Sequence, residues 1–233
     1  EPSVVELPGE PGAFSVLLRG ADLLVAVTIP AARQIAVLSR GTTDQLSVNA
    51  VCGTPWEPEQ VEMRDVSGDG RADVLCSGAG EVAVYVSADR GTFRSPLHFR
   101  AGGGSSLWAL EDVDGDGLPD LLVADAGRRT VGAAVRVNRS RAKGAASYLV
   151  GPRAVDLLIA ETDGDRRKDI VVTSQGALTM FSHVPGGLFD PQTSVEIPAG
   201  AKRTLVVSAG ARPRFVVAFP GRAELGAVAP RGD

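Results

Sequence analysis

Apolar residues along this chain gather in short runs, and turn residues close each run. Val, Ile and Leu dominate at Val74-Leu75, Leu121-Leu122-Val123 and Ile170-Val171-Val172. Runs of this kind, bounded by turn residues, read as β-strands. Matching runs predict a first strand at 14–18, 61–65, 107–112, 155–161 and 204–207, and a second strand after the turn that follows. A third falls at 34–38, 82–86, 131–137, 177–181 and 223–228, and a fourth at 46–51, 96–99, 147–150 and 194–197. Asp89-Arg-Gly-Thr-Phe93 and Pro185-Gly-Gly-Leu-Phe189 carry the turn signals between third and fourth strands.

The polar positions between first and second strands are more than ordinary turns. Asp112-Val-Asp-Gly-Asp-Gly-Leu-Pro-Asp120 sets carboxylates at loop positions 1, 3, 5 and 9. Asp65-Val-Ser-Gly-Asp-Gly-Arg-Ala-Asp73 repeats it with Ser67 at position 3. Glu161-Thr-Asp-Gly-Asp-Arg-Arg-Lys-Asp169 repeats it with Glu at position 1 and Arg166 where the others have Gly. Hard cations such as Ca²⁺ take six to eight oxygens at about 2.3–2.6 Å, and a tightly turned loop of alternating carboxylates supplies them. Gly115 and Gly117 permit the backbone angles of such a wrap. An EF-hand is excluded, because its bidentate Glu at position 12 is replaced by Cys76, Val123 and Val172 and the flanks read as strands. The plain alternative is an Asp/Gly-rich turn held by its own side-chain-to-backbone bonds.

The loops are periodic. Asp73, Asp120 and Asp169 stand 47 and 49 residues apart. A step of 51 back from Asp73 reaches Asp22, before Leu-Leu-Val-Ala26, and a step of 45 on from Asp169 reaches Arg214, before Phe-Val-Val-Ala218. Both keep the strand and lack the acidic loop. The chain therefore divides into five units, about 9–52, 53–100, 101–150, 151–198 and 199–233 plus 1–8. Four antiparallel strands in each repeat of this length predict the blade of a β-propeller. The last unit stops after its third strand, and Ser3-Val-Val-Glu-Leu-Pro8 resembles the fourth strand Ser194-Val-Glu-Ile-Pro198. The expectation is an all-β, single five-bladed propeller of four-stranded blades, its N-terminal strand completing the last blade and removing the open edges. A fragment of a larger propeller is the alternative.

The run Asp-Val-Asp-Gly-Asp-Gly-x-x-Asp-Leu-Leu-Val, with a following hairpin and a Gly-x-Phe turn, resembles the FG-GAP/VCBS repeat. That repeat builds integrin α-subunit propellers and many secreted bacterial and fungal proteins. The resemblance covers nearly the whole chain, strongly in units two to four and weakly in one and five. It implies Ca²⁺ in the loop between a blade's inner two strands, two to three ions in all. Carried over by position, the implied ligands are Asp65, Ser67, Asp69, the Arg71 carbonyl and Asp73. A second set is Asp112, Asp114, Asp116, the Leu118 carbonyl and Asp120; a third is Glu161, Asp163, Asp165, the Arg167 carbonyl and Asp169. Ser67 is a weaker, neutral ligand, and Arg166, Arg167 and Lys168 bring positive charge to the third loop. The expected ranking is 112–120, then 65–73, then 161–169, with no site in units one and five.

Composition sharpens this reading. A net charge of −4 without a basic stripe argues against nucleic acid. No apolar run approaches the roughly 18 residues of a membrane-spanning helix. Glu1 in place of Met suggests a matured secreted chain or a trimmed piece. Weak, millimolar-range Ca²⁺ sites belong outside cells, where Cys52 and Cys76 either pair or remain two buried thiols. His98 and His183 lie far apart, in no catalytic pattern. The Gly-rich 102–106 precedes a strand and reads as a crossover between blades, not a phosphate cradle. Trp56 reads as packed on the next blade, Trp108 as core, the Asn138-Arg-Ser140 sequon as a solvated loop and the terminal Arg231-Gly-Asp233 as a chance match.

No nucleophile or acid–base constellation appears, so no catalytic residue is expected. The leading expectation is a secreted or cell-surface, non-enzymatic propeller that binds or adheres to a protein or glycan. The alternatives are an accessory or lyase-like domain of a polysaccharide-active protein, and a structural subunit of a secreted complex. The fold alone does not name the ligand.

Overall fold

The computed structural model describes residues 4–40, 45–100, 107–113, 115–125, 127–134, 137–138, 141–142, 145–184, 188–208, 213–221 and 224–228. The fold is all-β. The first sheet pairs β1 (Phe14–Arg19), β2 (Asp22–Ile29), β3 (Gln34–Arg40) and β4 (Leu46–Gly53) in that order. The second pairs β5 (Gln60–Arg64), β6 (Asp73–Gly78), β7 (Glu81–Tyr85) and β8 (Leu97–Arg100). The third pairs β9 (Leu107–Glu111), β10 (Asp120–Asp125) and β11 (Thr130–Ala134); after the short ribbon of β12 (Val137–Asn138) and β13 (Arg141–Ala142) it is completed by β14 (Ala145–Leu149). The fourth pairs β15 (Asp156–Ala160), β16 (Asp169–Ser174), β17 (Ala177–Val184) and β18 (Leu188–Glu196). The fifth pairs β19 (Arg203–Ser208), β20 (Pro213–Phe219) and β21 (Glu224–Val228). Every sheet runs in sequence order with antiparallel neighbours, the topology of a propeller blade.

The chain forms two compact units. One holds Glu1–Arg100 with Gly104–Ser106 and Asn138–Arg141; the other holds Ala101–Gly103, Leu107–Val137 and Ala142–Asp233. In the first unit, Val74, Cys76, Ala83 and Tyr85 of the second sheet share a core with Ile35, Val37, Cys52 and Trp56. In the second unit, Leu122, Val131, Ile170, Val172 and Phe181 form one core, and Val171, Leu178, Phe215 and Val217 another. The second strands of the loop-bearing blades are buried on both faces, which is why they read as continuous apolar runs.

Polar clasps join successive blades within each unit. The Met63 amide donates to Ser15 Oγ at 3.1 Å, and the Thr204 amide donates to Asp156 Oδ2 at 2.6 Å. Each clasp spans 48 residues, one repeat.

One expectation is corrected. The fifth sheet has three strands among the described residues, and residues 4–13 carry no strand. Pro8 and Pro11 remove backbone donors that a ladder needs. Val5 and Leu7 instead pack against Val27, Ile29, Ala36 and Leu38 of the first sheet. The Gly12 amide donates to the Thr28 carbonyl, and the Thr28 amide to the Ala13 carbonyl, at 2.8 Å each. Residues 1–3 and 229–233, with the Arg-Gly-Asp end, lie outside the described residues, as do 102–106 and most of the sequon.

Trp56 is buried in the first unit's core, and its indole N–H points to Glu81 Oε2 at 3.4 Å. Gly78 makes that packing possible, since a Cβ there would meet the Glu57 carbonyl at 2.3 Å and Trp56 Cε3 at 2.7 Å. Trp108, expected in the core, is only half-buried on β9.

Candidate metal centre

Each acidic loop joins the first and second strands of its blade. Loop 65–73 links β5 to β6, loop 112–120 links β9 to β10, and loop 161–169 links β15 to β16. In the first sheet the same junction has shrunk to a tight turn, with Arg19 opposite Asp22 and Gly20 at φ 58°.

The ninth residue is the anchor. Asp73, Asp120 and Asp169 each open the second strand and are fully buried. Their Oδ2 atoms accept the amide of loop position 2: Val66 at 3.0 Å, Val113 at 3.0 Å and Thr162 at 2.7 Å. The other oxygen reaches the third strand's end, where Asp73 Oδ1 accepts from the Ser87 amide at 2.8 Å and Asp169 Oδ1 from the His183 amide at 2.9 Å. Burial raises the pKa of Asp73 and Asp169, and these amide bonds work against the rise. The sequence marked this position only as a ligand; its role as a buried clamp across three strands was missed. The signal was an Asp directly before an apolar run in every loop.

The first residue closes the turn. Asp65 accepts the Gly68 and Gly70 amides at 2.7 and 2.8 Å. Asp112 accepts the Gly115, Asp116 and Gly117 amides at 2.7, 3.1 and 2.8 Å. Glu161 takes the Asp163 amide at 3.0 Å and the Gly164 amide, both on Oε1. The self-bonded turn, the plain alternative, is thus built into all three loops.

Among the described residues, one group of carboxylates converges. Glu161, Asp163 and Asp169 bring one oxygen each within 4.8 Å of one another, a group that can hold a metal ion. This is the loop the sequence ranks third. Lys168 Nζ is 3.2 Å from Glu111 Oε1, and the Arg167 guanidinium lies 3.4 Å from His183 Nδ1 and 4.0 Å from Asp165 Oδ2, an acid outside the converging three. In loop 112–120, Asp114 lies outside the described residues, while Asp112, Asp116 and Leu118 line the turn. In loop 65–73, Arg71 Nη2 stands 2.7 Å from Asp69 Oδ2. The three residue sets therefore do not fit a cation equally: 161–169 fits on geometry, and 112–120 fits on chemistry, with four acids and no basic residue.

Two such loops, with β6, β7 and β8 of one blade and β9 of the next between them, make a recognisable unit. Residues 65–123 match the FG-GAP-like repeat. The match spans loops 65–73 and 112–120 and the strands between them, the part of the chain where the motif is fullest. An acidic loop followed by an apolar run recurs at 161–172 by sequence. Among curated proteins none matches the chain. A solved structure described as a streptogramin B lyase is similar at 12% identity, over 94% of this chain and 68% of that one, with a TM-score of 0.48. A likeness that loose bears on neither site nor function.

The other sequence candidates fall outside this centre. Cys52 and Cys76 are free and buried in one core, and burial pushes their thiols up to about 11 and about 12. His98 Nδ1 lies 3.5 Å from Glu81 Oε2, and His183 packs edge-on against Phe189 at 5.5 Å.

Proposed function

We propose that this chain is an extracellular, calcium-stapled binding scaffold, whose FG-GAP-like blades present loops to a protein or glycan and carry no catalytic role. The observation that carries this reading is the convergence of Glu161, Asp163 and Asp169 in a loop pinned between two strands. Like charges at about 4 Å repel by about 1 kcal/mol per pair in water, and by more where water is excluded. A divalent cation reverses the sign of that term and fixes the loop. Residues Asp112, Asp114, Asp116 and Asp120, with the Leu118 carbonyl, supply a second such site, and Glu161, Asp163, Asp165 and Asp169, with the Arg167 carbonyl, the first. Oxygen-only loops of modest affinity suit millimolar extracellular calcium. Binding of protein and glycan arrays, with calcium and with EDTA, tests the scaffold role. Capture that needs calcium supports it; capture indifferent to calcium contradicts it.

A second reading, an accessory or lyase-like domain acting on acidic polysaccharide, draws on one observation. A cavity of about 320 Å³ in the first unit is lined by Arg19, Arg40 and Arg71, with Asp22, Ser39 and Asn49 beside them. Guanidinium groups pair well with the carboxylates or sulfates of such glycans. Turnover of an acidic polysaccharide in the same screen would replace the first reading with this one.

A further inference from the structure

We infer that loop 65–73 is held by a cation of its own, the Arg71 guanidinium, and takes no calcium. The inference rests on the reading of the acidic loops as calcium loops, and it separates one of them from the rest.

The loop is short of ligands before geometry is considered. It has three carboxylates, with Ser67 at position 3, against four in loop 112–120. The position-5 carboxylate, Asp69, is then taken by the chain itself. Asp69 Oδ1 accepts the Arg71 amide at 2.9 Å, and Asp69 Oδ2 accepts Arg71 Nη2 at 2.7 Å. Its side chain is only 4% exposed. The same guanidinium donates through Nη1 to Asp89 Oδ1 at 2.9 Å. Asp89 lies outside the loop, on the 3-10 turn Asp89–Gly91 between β7 and β8. Arg71 is thus fixed by two carboxylates from two elements of one blade, in the planar fork geometry that guanidinium favours. Asp65 and Asp73 meanwhile accept five backbone amides between them, from Gly68, Gly70, Val66, Ser67 and Ser87.

A divalent ion entering this loop would have to displace a charge-assisted pair and sit beside a fixed positive group. Arg71 already supplies what the ion supplies elsewhere: positive charge against the loop acids and a tie between two segments. Loop 161–169 shows that an arginine at position 7 does not by itself do this. There Arg167 Nε is 4.0 Å from Asp165 Oδ2, Asp165 is 37% exposed, and the guanidinium meets His183 instead. Loop 112–120 has Leu118 at that position.

The test is a titration of the full chain with calcium alone, followed by amide resonances in ¹H–¹⁵N spectra. In wild type, the Gly68 and Gly70 amides are expected to hold still through millimolar calcium while Gly115 and Gly117 move and saturate. In Arg71→Leu, Gly68 and Gly70 should gain a saturable shift, with an apparent affinity at least tenfold tighter than any response of these two amides in wild type. A saturable shift of Gly68 and Gly70 in wild type overturns the inference, and needs no variant that might fail to fold. So does an Arg71→Leu chain that folds and gains no response. Silence of Gly115 and Gly117 would count against calcium at loop 112–120, and leaves the Arg71→Leu comparison to decide this inference separately.

Discussion

Single residues set how well each loop can wrap an ion. Gly70 and Gly117 occupy position 6 at φ 84° and 86°, where the absence of a Cβ costs nothing. Arg166 takes the same position at φ 69°, in the left-handed region that disfavours side chains by roughly 1–2 kcal/mol. It also adds a positive charge to the loop that carries Glu161, Asp163 and Asp169. Arg166→Gly is therefore expected to raise the melting temperature slightly and to tighten calcium at this loop several-fold, read by calorimetry. An unchanged affinity would mean that Arg166 is too solvated to oppose the ion. The acids and glycines of this loop were legible in the sequence from spacing alone. How each loop's carboxylates are engaged was not, because that depends on which partners Arg71, Arg167 and Lys168 find in the folded chain: Asp69 and Asp89 for Arg71, Asp165 and His183 for Arg167, Glu111 for Lys168.

Strands and their junctions account for most of what the sequence revealed. The runs after each loop became β6, β10 and β16, since strands buried on both faces need continuous apolar residues. The fourth blade's edge strand ran longer than expected. Leu188–Glu196 contains Pro191, which reads as a turn residue, yet an edge strand tolerates a missing donor and the register shifts between Met180 and Phe181 to accommodate it. The N-terminal segment misled for the opposite reason: its apolar pattern matched a strand, while Pro8 and Pro11 left it without a ladder, packed through Val5 and Leu7 and tied by backbone bonds at Gly12 and Ala13. Cysteine spacing could not separate a bridge from two thiols. In the structure Cys52 on β4 and Cys76 on β6 are free within a core shared by two sheets. Burial lifts them from 9.0 to about 11 and about 12. The folded state then keeps protons that the unfolded chain releases, so stability is full below pH 9 and falls as pH rises from 9 through about 11 for Cys52 and about 12 for Cys76. The slope reaches about 1.4 kcal/mol per pH unit for each thiol. Melts across this window should show the decline, and Cys76→Ala should flatten it. A Cys76→Ala slope equal to wild type would contradict the burial argument.

At the scale of the whole molecule, calcium joins local loop chemistry to global stability. An ion that binds only the folded chain stabilises it by mass action, by about 2.7 kcal/mol per site at a hundredfold excess over Kd. The loops are already closed by their own amide bonds, so calcium is expected to strengthen a formed structure and not to nucleate it. The most direct measurement is calcium titration of the chain by calorimetry, with thermal melts in calcium and in EDTA. Two saturable sites per chain are expected, at 112–120 and 161–169, with a melting temperature that falls on chelation yet leaves a cooperative transition. No heat at millimolar calcium and identical melts would contradict it, and would reduce the acidic loops to self-bonded turns.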